Sequence, residues 1–398
     1  MSGFRGGSIR LDNAAGLTPR GIAQMVARSR REFLRTAIGV CAAAPVFGLA
    51  SAPKTASPRG RKAVVVTFGG GARDDETFTP EGQENIPHLL TELAPRSTFF
   101  SQVINRGILG HYVATASLAT GVYETFNNFA AVPPSQPTVF EYYRHDLRRP
   151  ATDAWVIAPS NGFNLIGASS HRSYGPDSGA GVILPKRLLA LAPSSERGLY
   201  DHLLRDNYET PLYSPALRES NDRLHSIADL MQLSLTDFAA HARNVTSPDE
   251  LSVYIARQLM HHLAPSLLWI TLHDIDIAHS GAFSLYVDAI RRCDRLCGEI
   301  QDAIASEPEY AGRTTLFILP DFGRDSDNSP GGNGFQHHRT GDATSRTTWM
   351  MVIGPGVREN TVVERPVESV DLVPTLGSMF GFSARFSQGR PLDEVLRA

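Results

Sequence analysis

The chain has 398 residues, 42% of them hydrophobic and 20% charged, enough apolar material for one large core or two modest ones. Its formal net charge of -3 gives no general attraction to nucleic acid or to an anionic membrane surface, so neither is expected as a broad partner.

In chain order, the first feature is Ser29-Arg30-Arg31-Glu32-Phe33-Leu34-Arg35. A mildly apolar run follows and closes on the A-x-A sequence Ala50-Ser51-Ala52. Charge, apolar run and small-residue end, in that order, resemble a twin-arginine export signal over residues 1–52. Pro53 is an awkward residue just after a cut, so a retained anchor is the alternative. That route carries folded proteins, which permits a cofactor to be inserted before crossing. A Pro/Lys/Arg/Gly-rich linker occupies 53–62, and no later apolar run is long enough to span a bilayer. The expected partner is therefore the twin-arginine export machinery, and the expected location is the periplasm or outside the cell.

Residues 63–68 (AVVVTF) read as a buried strand stopped by Gly69-Gly70-Gly71. Residues 138–147 suggest a helix and 154–158 a strand. Residues from about 195 to 262 read mostly as helices with polar faces, an insertion that caps or flanks the rest. A strand at 267–272 is followed by a helix at 287–304, then strands at 314–319 and 349–353. In that helix Val287, Ile290, Cys293, Cys297, Ile300 and Ile304 share one face, so both cysteines are read as small buried apolar residues. Strands alternating with helices predict a single α/β sandwich over 63–398, a mostly parallel sheet flanked by helices.

Ligands of open α/β sheets sit beyond the carboxyl ends of the strands. The exit of the 267–272 strand reads HDIDIAHSG, with Asp274, Asp276 and His279. The exit of the 314–319 strand reads LPDFGRD, with Asp321, and a glycine-rich loop then leads to His337 and His338. Carboxylate and imidazole together suit a divalent metal, zinc first, with manganese, calcium or iron as alternatives. Alternation along an extended chain would send Asp274 and Asp276 to the same side, which leaves the choice between them open. The choice between His337 and His338 is open as well. The planar fork of Arg324 suits an anionic ester, whereas the plain alternative pairs it with Asp325 on a surface loop.

The order of these segments resembles the alkaline phosphatase superfamily, which includes arylsulfatases, nucleotide phosphodiesterases and cofactor-independent phosphoglycerate mutases. VVVTFGGGARDDETF resembles its first-strand segment, and NIPHLLTELAPRSTFFSQV the segment after it. GHYVATASLATG resembles the nucleophile helix, DIAHSG and PDFGRD the metal segments, QHHR the late histidine, and VESVDLVPTLGSMFGF with QGRPLDEVL the C-terminal helix and tail. The resemblance implies an alkaline phosphatase-like fold and a metal-dependent hydrolase of small phosphate or sulfate esters.

The departures from the superfamily pattern fall together. Gly69 or Gly70 stands where the first metal-binding aspartate is expected, with Asp74 and Asp75 a few residues on. His111 stands at the nucleophile position, and Asp321-Phe322 replaces an Asp-His pair. His279 lies three residues from Asp276 and five from Asp274, where the superfamily has four. These losses affect one metal of the two-metal members. The other metal keeps candidate ligands in Asp276 or Asp274, His279, and His337 or His338. The expectation is a one-metal site, with Asp321 and His111 lining or completing it and His111 a base, nucleophile or ligand. The alternative is a non-catalytic relative that binds an anionic envelope component or a partner protein.

Overall fold

The structure, a computed structural model, describes residues 60–68, 71–130, 132–191, 197–199, 201–204 and 221–396. Residues 1–52, read above as an export signal, most of the expected 53–62 linker, Gly69, Gly70 and part of the 195–262 segment lie outside the described residues.

The first strand, β1 (Lys62–Phe68), is buried along its whole length, as expected of an unbroken β-branched run covered on both faces. It lies between β5 (Leu267–Leu272) and β6 (Thr314–Pro320), parallel to both. β3 (Ala154–Ile157) and the edge strand β4 (Gly181–Ile183) continue the parallel sheet beyond β5. Beyond β6, β7 (Thr347–Ile353) runs antiparallel. β2 (Thr98–Ile104) runs antiparallel to β7, and the short β8 (Thr361–Val363) and β9 (Val367–Glu368) pair parallel with β2. The sheet is mixed and mostly parallel, in the order β4-β3-β5-β1-β6-β7-β2-β8.

Side-chain alternation along β1 divides the core. Val64 and Val66 face a layer holding the long helix Phe283–Ser306 and the helices Asn221–Leu230, Leu235–Ala242 and Pro248–His262. Ala63 and Val65 face the helices His111–Thr120 and Leu372–Phe380. The described helices between β4 and β5 therefore flank the sheet and share its core. Cys293 and Cys297 are buried and unbridged on the inner face of the long helix. The predicted helix at 138–147 begins with a capping box between Thr138 and Glu141 and continues from Tyr142 to Asp146 as a wider π-helical turn.

Register aligns the strand exits. Phe68 pairs with Leu272 on one side and with Pro320 on the other, so β1, β5 and β6 end level. β2 points the same way as β6. Its next residue, Asn105, donates from Nδ2 to the Asp321 carbonyl at 3.1 Å. The segments beginning at His273, Asp321 and Asn105 thus leave the sheet along one edge.

Candidate functional site

Past Leu272 the chain has no strand partner, and Asp274–Ser280 winds into a 3-10 turn that ends at Gly281 with φ +84°. A 3-10 turn has three residues per revolution, so residues three apart eclipse. Asp276 and His279 therefore point the same way, with His279 Nε2 3.0 Å from Asp276 Oδ1. The same geometry corrects the expectation that Asp274 and Asp276 share a side. Asp274 faces Arg292 Nη1 at 2.8 Å and takes no part in the cluster around Asp276.

His111 opens the helix that follows β2. Its ring is clamped between two carboxylates, Nδ1 at 2.7 Å from Asp321 Oδ2 and Nε2 at 2.9 Å from Asp276 Oδ1. Asp321 is fully buried at the exit of β6. Its other oxygen accepts from the Phe322 N–H at 3.0 Å. Phe322 stacks on His111 with centroids 4.7 Å apart, reaches the His338 ring at 4.7 Å, and packs against Leu109 and Ala114.

Of the two late histidines, His338 turns inward, its Nε2 2.9 Å from His279 Nε2, while His337 lies outside the cluster. Arg324 is fully buried rather than presented to solvent. Nε donates to the Gly71 carbonyl and Nη1 to that of Phe335, both at 3.1 Å, and Nη2 to Asp276 Oδ1 at 3.1 Å. It does not pair with Asp325, whose partner is Arg339 at 3.2 Å. Gly71 is required at its place: its φ is +56°, and a Cβ there would lie 2.4 Å from the Phe322 carbonyl oxygen.

His273 is a neighbour that the sequence reading passed over. Its ring meets that of His111 edge-on at 4.9 Å, and its Nε2 lies 3.8 Å from Asp276 Oδ2. The only signal for it was its place at the head of HDIDIAHSG. Asp74 and Asp75 fall on the turn Asp74–Glu76, and neither belongs to the cluster.

Burial alone would lower the pKa of His111, but Asp276 and then Asp321 outweigh it and raise it to about 9. Burial would raise that of Asp276, yet His111 and His279 hold it far below the carboxylate range. Burial, followed by the positive charges of His111 and Arg324, drives the His338 imidazole strongly down, which leaves it neutral.

Four donor atoms, one each from His111, Asp276, His279 and His338, lie within 4.8 Å of one another. Tetrahedral zinc, with bonds of about 2.0–2.1 Å, separates its ligands by roughly 3.3 Å. Three imidazoles and one carboxylate are a zinc-type donor set, with contacts of 2.9 and 3.0 Å among its donor atoms. Asp321 behind His111 supplies the outer carboxylate that commonly fixes a metal-binding imidazole. The cluster therefore fits a divalent metal.

No protein-family model matches the chain, and no curated protein matches it in sequence. Solved structures do match in fold. The lipoteichoic acid synthase LtaP from Listeria monocytogenes aligns with a TM-score of 0.53 and 10% identity, over 84% of this chain and 76% of that one. The phosphonate monoester hydrolase SpPMH from Silicibacter pomeroyi gives 0.50 and 15%, over 85% and 77%. A candidate sulfatase from Bacteroides thetaiotaomicron gives 0.51 and 12%, over 85% and 75%. The chain has an alkaline phosphatase-like fold. At these identities the likeness carries fold and not chemistry.

Proposed function

We propose that this protein is an exported, metal-dependent hydrolase of phosphate or sulfate esters that works with one metal, zinc first among the candidates. The observation that carries the reading is the convergence of His111, Asp276, His279 and His338 on one point at the strand exits. A divalent metal bound there supplies a Lewis acid that polarises an ester oxygen and acidifies water. Asp321 holds His111 in place through Nδ1, so that Nε2 faces the cluster. Arg324 fixes Asp276 and ties three strand-exit segments together through the carbonyls of Gly71, Phe335 and Ile275.

Among the described residues of the helix His111–Thr120, the position read as the superfamily nucleophile holds His111 and no hydroxyl. Ser117 is turned into its own helix, donating to the Val113 carbonyl at 2.8 Å, and Thr115 is buried one turn inside. Water is accordingly the attacking group. The similarity to hydrolases of anionic esters supports a small anionic ester as substrate. The twin-arginine-like segment supports export in the folded state.

A second reading, a non-catalytic binder of an anionic envelope component or partner protein, is favoured by one observation. Asp276 and Asp321 already have His111 and Arg324 as internal partners. Elemental analysis of protein exported through its own signal, with His279→Ala alongside, decides between the two. The hydrolase reading expects about one transition metal per chain and turnover of p-nitrophenyl phosphate or sulfate, both lost in the variant. A metal-free, inactive parent that phosphate or sulfate still stabilises against heat would establish the binder.

A further inference from the structure

The turn that carries Asp276 and His279 begins with two backbone N–H groups, those of His273 and Asp274, for which the sheet ladder has no acceptor because pairing with β1 ends at Leu272. A helical start commonly meets this need with a Ser, Thr, Asp or Asn at its own cap position. Here the cap position is His273, which makes no side-chain cap, and its ring lies instead against His111.

The missing acceptor comes from elsewhere in the chain. Asp249, fully buried, accepts from the His273 N–H at 2.8 Å and from the Asp274 N–H at 2.8 Å. Asp249 is itself fixed, because it sits in the first turn of the helix Pro248–His262, where Ser247 Oγ caps its N–H at 3.1 Å. A second hold comes from the long helix Phe283–Ser306, whose Arg292 grips Asp274 at 2.8 Å. Two helices thus clamp the first residues of one turn, and two of the four cluster donors ride on that turn.

We propose that Asp249, assisted by the Asp274–Arg292 pair, is a positioning residue that sets the metal affinity of the cluster by capping the Asp276–His279 turn from outside it. The inference rests on the metal reading above. Burying a carboxylate is costly unless its hydrogen bonds are met, and here they are met by the turn it holds. Donor placement to within about 0.5 Å governs the quality of a metal site, so a loosened turn misplaces Asp276 and His279 together.

The test is zinc affinity by competition with a chromophoric chelator, in the parent, Asp249→Ala, Asp249→Asn and Arg292→Ala. Asp294→Ala serves as control, because Asp294 is a buried carboxylate that accepts the N–H groups of His88 and Leu89 at 3.0 and 2.7 Å and has no contact with the cluster. Asp249→Ala and Arg292→Ala should weaken zinc by about tenfold or more while Asp294→Ala stays within about twofold. Asp249→Asn, which keeps one acceptor oxygen, should fall between and reports alone if the alanine variant does not fold. Parental affinity in all the Asp249 and Arg292 variants would overturn the proposal. Should the parent itself bind no zinc, the metal reading fails, and the clamp is judged by amide hydrogen exchange. Faster exchange confined to residues 273–280 in Asp249→Asn would uphold it, and unchanged exchange there would refute it.

Discussion

Replacing His338 and His337 by alanine, one at a time, separates two adjacent histidines that the sequence leaves equivalent. His338 Nε2 sits within the donor cluster, whereas His337 contributes a backbone carbonyl to the Asp325 N–H at 2.9 Å and keeps its ring outside. Zinc at 100 times its dissociation constant stabilises the folded state by about 2.7 kcal/mol. With an unfolding entropy of about 2.1 cal/mol/K per residue, the roughly 310 described residues give ~0.65 kcal/mol/K, so the melting temperature should rise by about 4 °C. If loss of His338 weakens zinc about a hundredfold, the same zinc concentration contributes only ~0.4 kcal/mol, a shift below about 1 °C. The assay is thermal unfolding of chelator-stripped protein with and without zinc. The parent and His337→Ala should show the full shift and His338→Ala almost none. The opposite pattern, with His337→Ala losing the shift and His338→Ala keeping it, would refute the assignment of donors.

Two further outcomes follow from the packing. Phe322→Ala opens a cavity among His111, His338, Leu109 and Ala114 and should cost about 3–5 kcal/mol in urea unfolding; a loss below about 1 kcal/mol would show that Phe322 does not wedge the site. Burial lifts the Asp294 carboxyl to about 6, against the pull of the Leu89 and His88 amides. A carboxyl that holds its proton more tightly folded than unfolded, where it titrates near 3.9, makes stability fall as pH climbs from about 4 to about 6. Asp294→Asn cannot ionise and should flatten that part of the pH profile of urea midpoints. An unchanged slope would assign the effect elsewhere.

What the sequence shows depends on how a segment is buried. β1, β5 and β6 are legible because a central parallel strand, covered on both faces, is an unbroken apolar run. β2 is not, since Ser101 and Gln102 interrupt TFFSQVI and find their partners in the carbonyls of Val363 and Glu364, far along the chain. The two- and three-residue edge strands carry no period at all. At the site, residue types are legible and directions are not. Nothing in HDIDIAHSG announces a 3-10 turn, yet that turn is what brings Asp276 and His279 together and sends Asp274 to Arg292. Arg324 followed by Asp325 looks like a surface pair, and only the fold reveals that the guanidinium is buried on three carbonyls and Asp276.

Around His111 the apolar and the polar sides of the site are each supported physically. Beside Asp321 the interior is filled by Phe322, packed with Leu109 and Ala114. An unpartnered buried charge costs several kcal/mol. Neither carboxylate is stranded here. Asp321 has His111 and its own following amide, and Asp276 has His111, His279 and Arg324. Orphaned charge or empty volume would mark a poorly supported site. This one has a filled apolar side and a fully partnered polar side, and on the polar side the capping of one turn by Asp249 keeps two donors aimed at the same point.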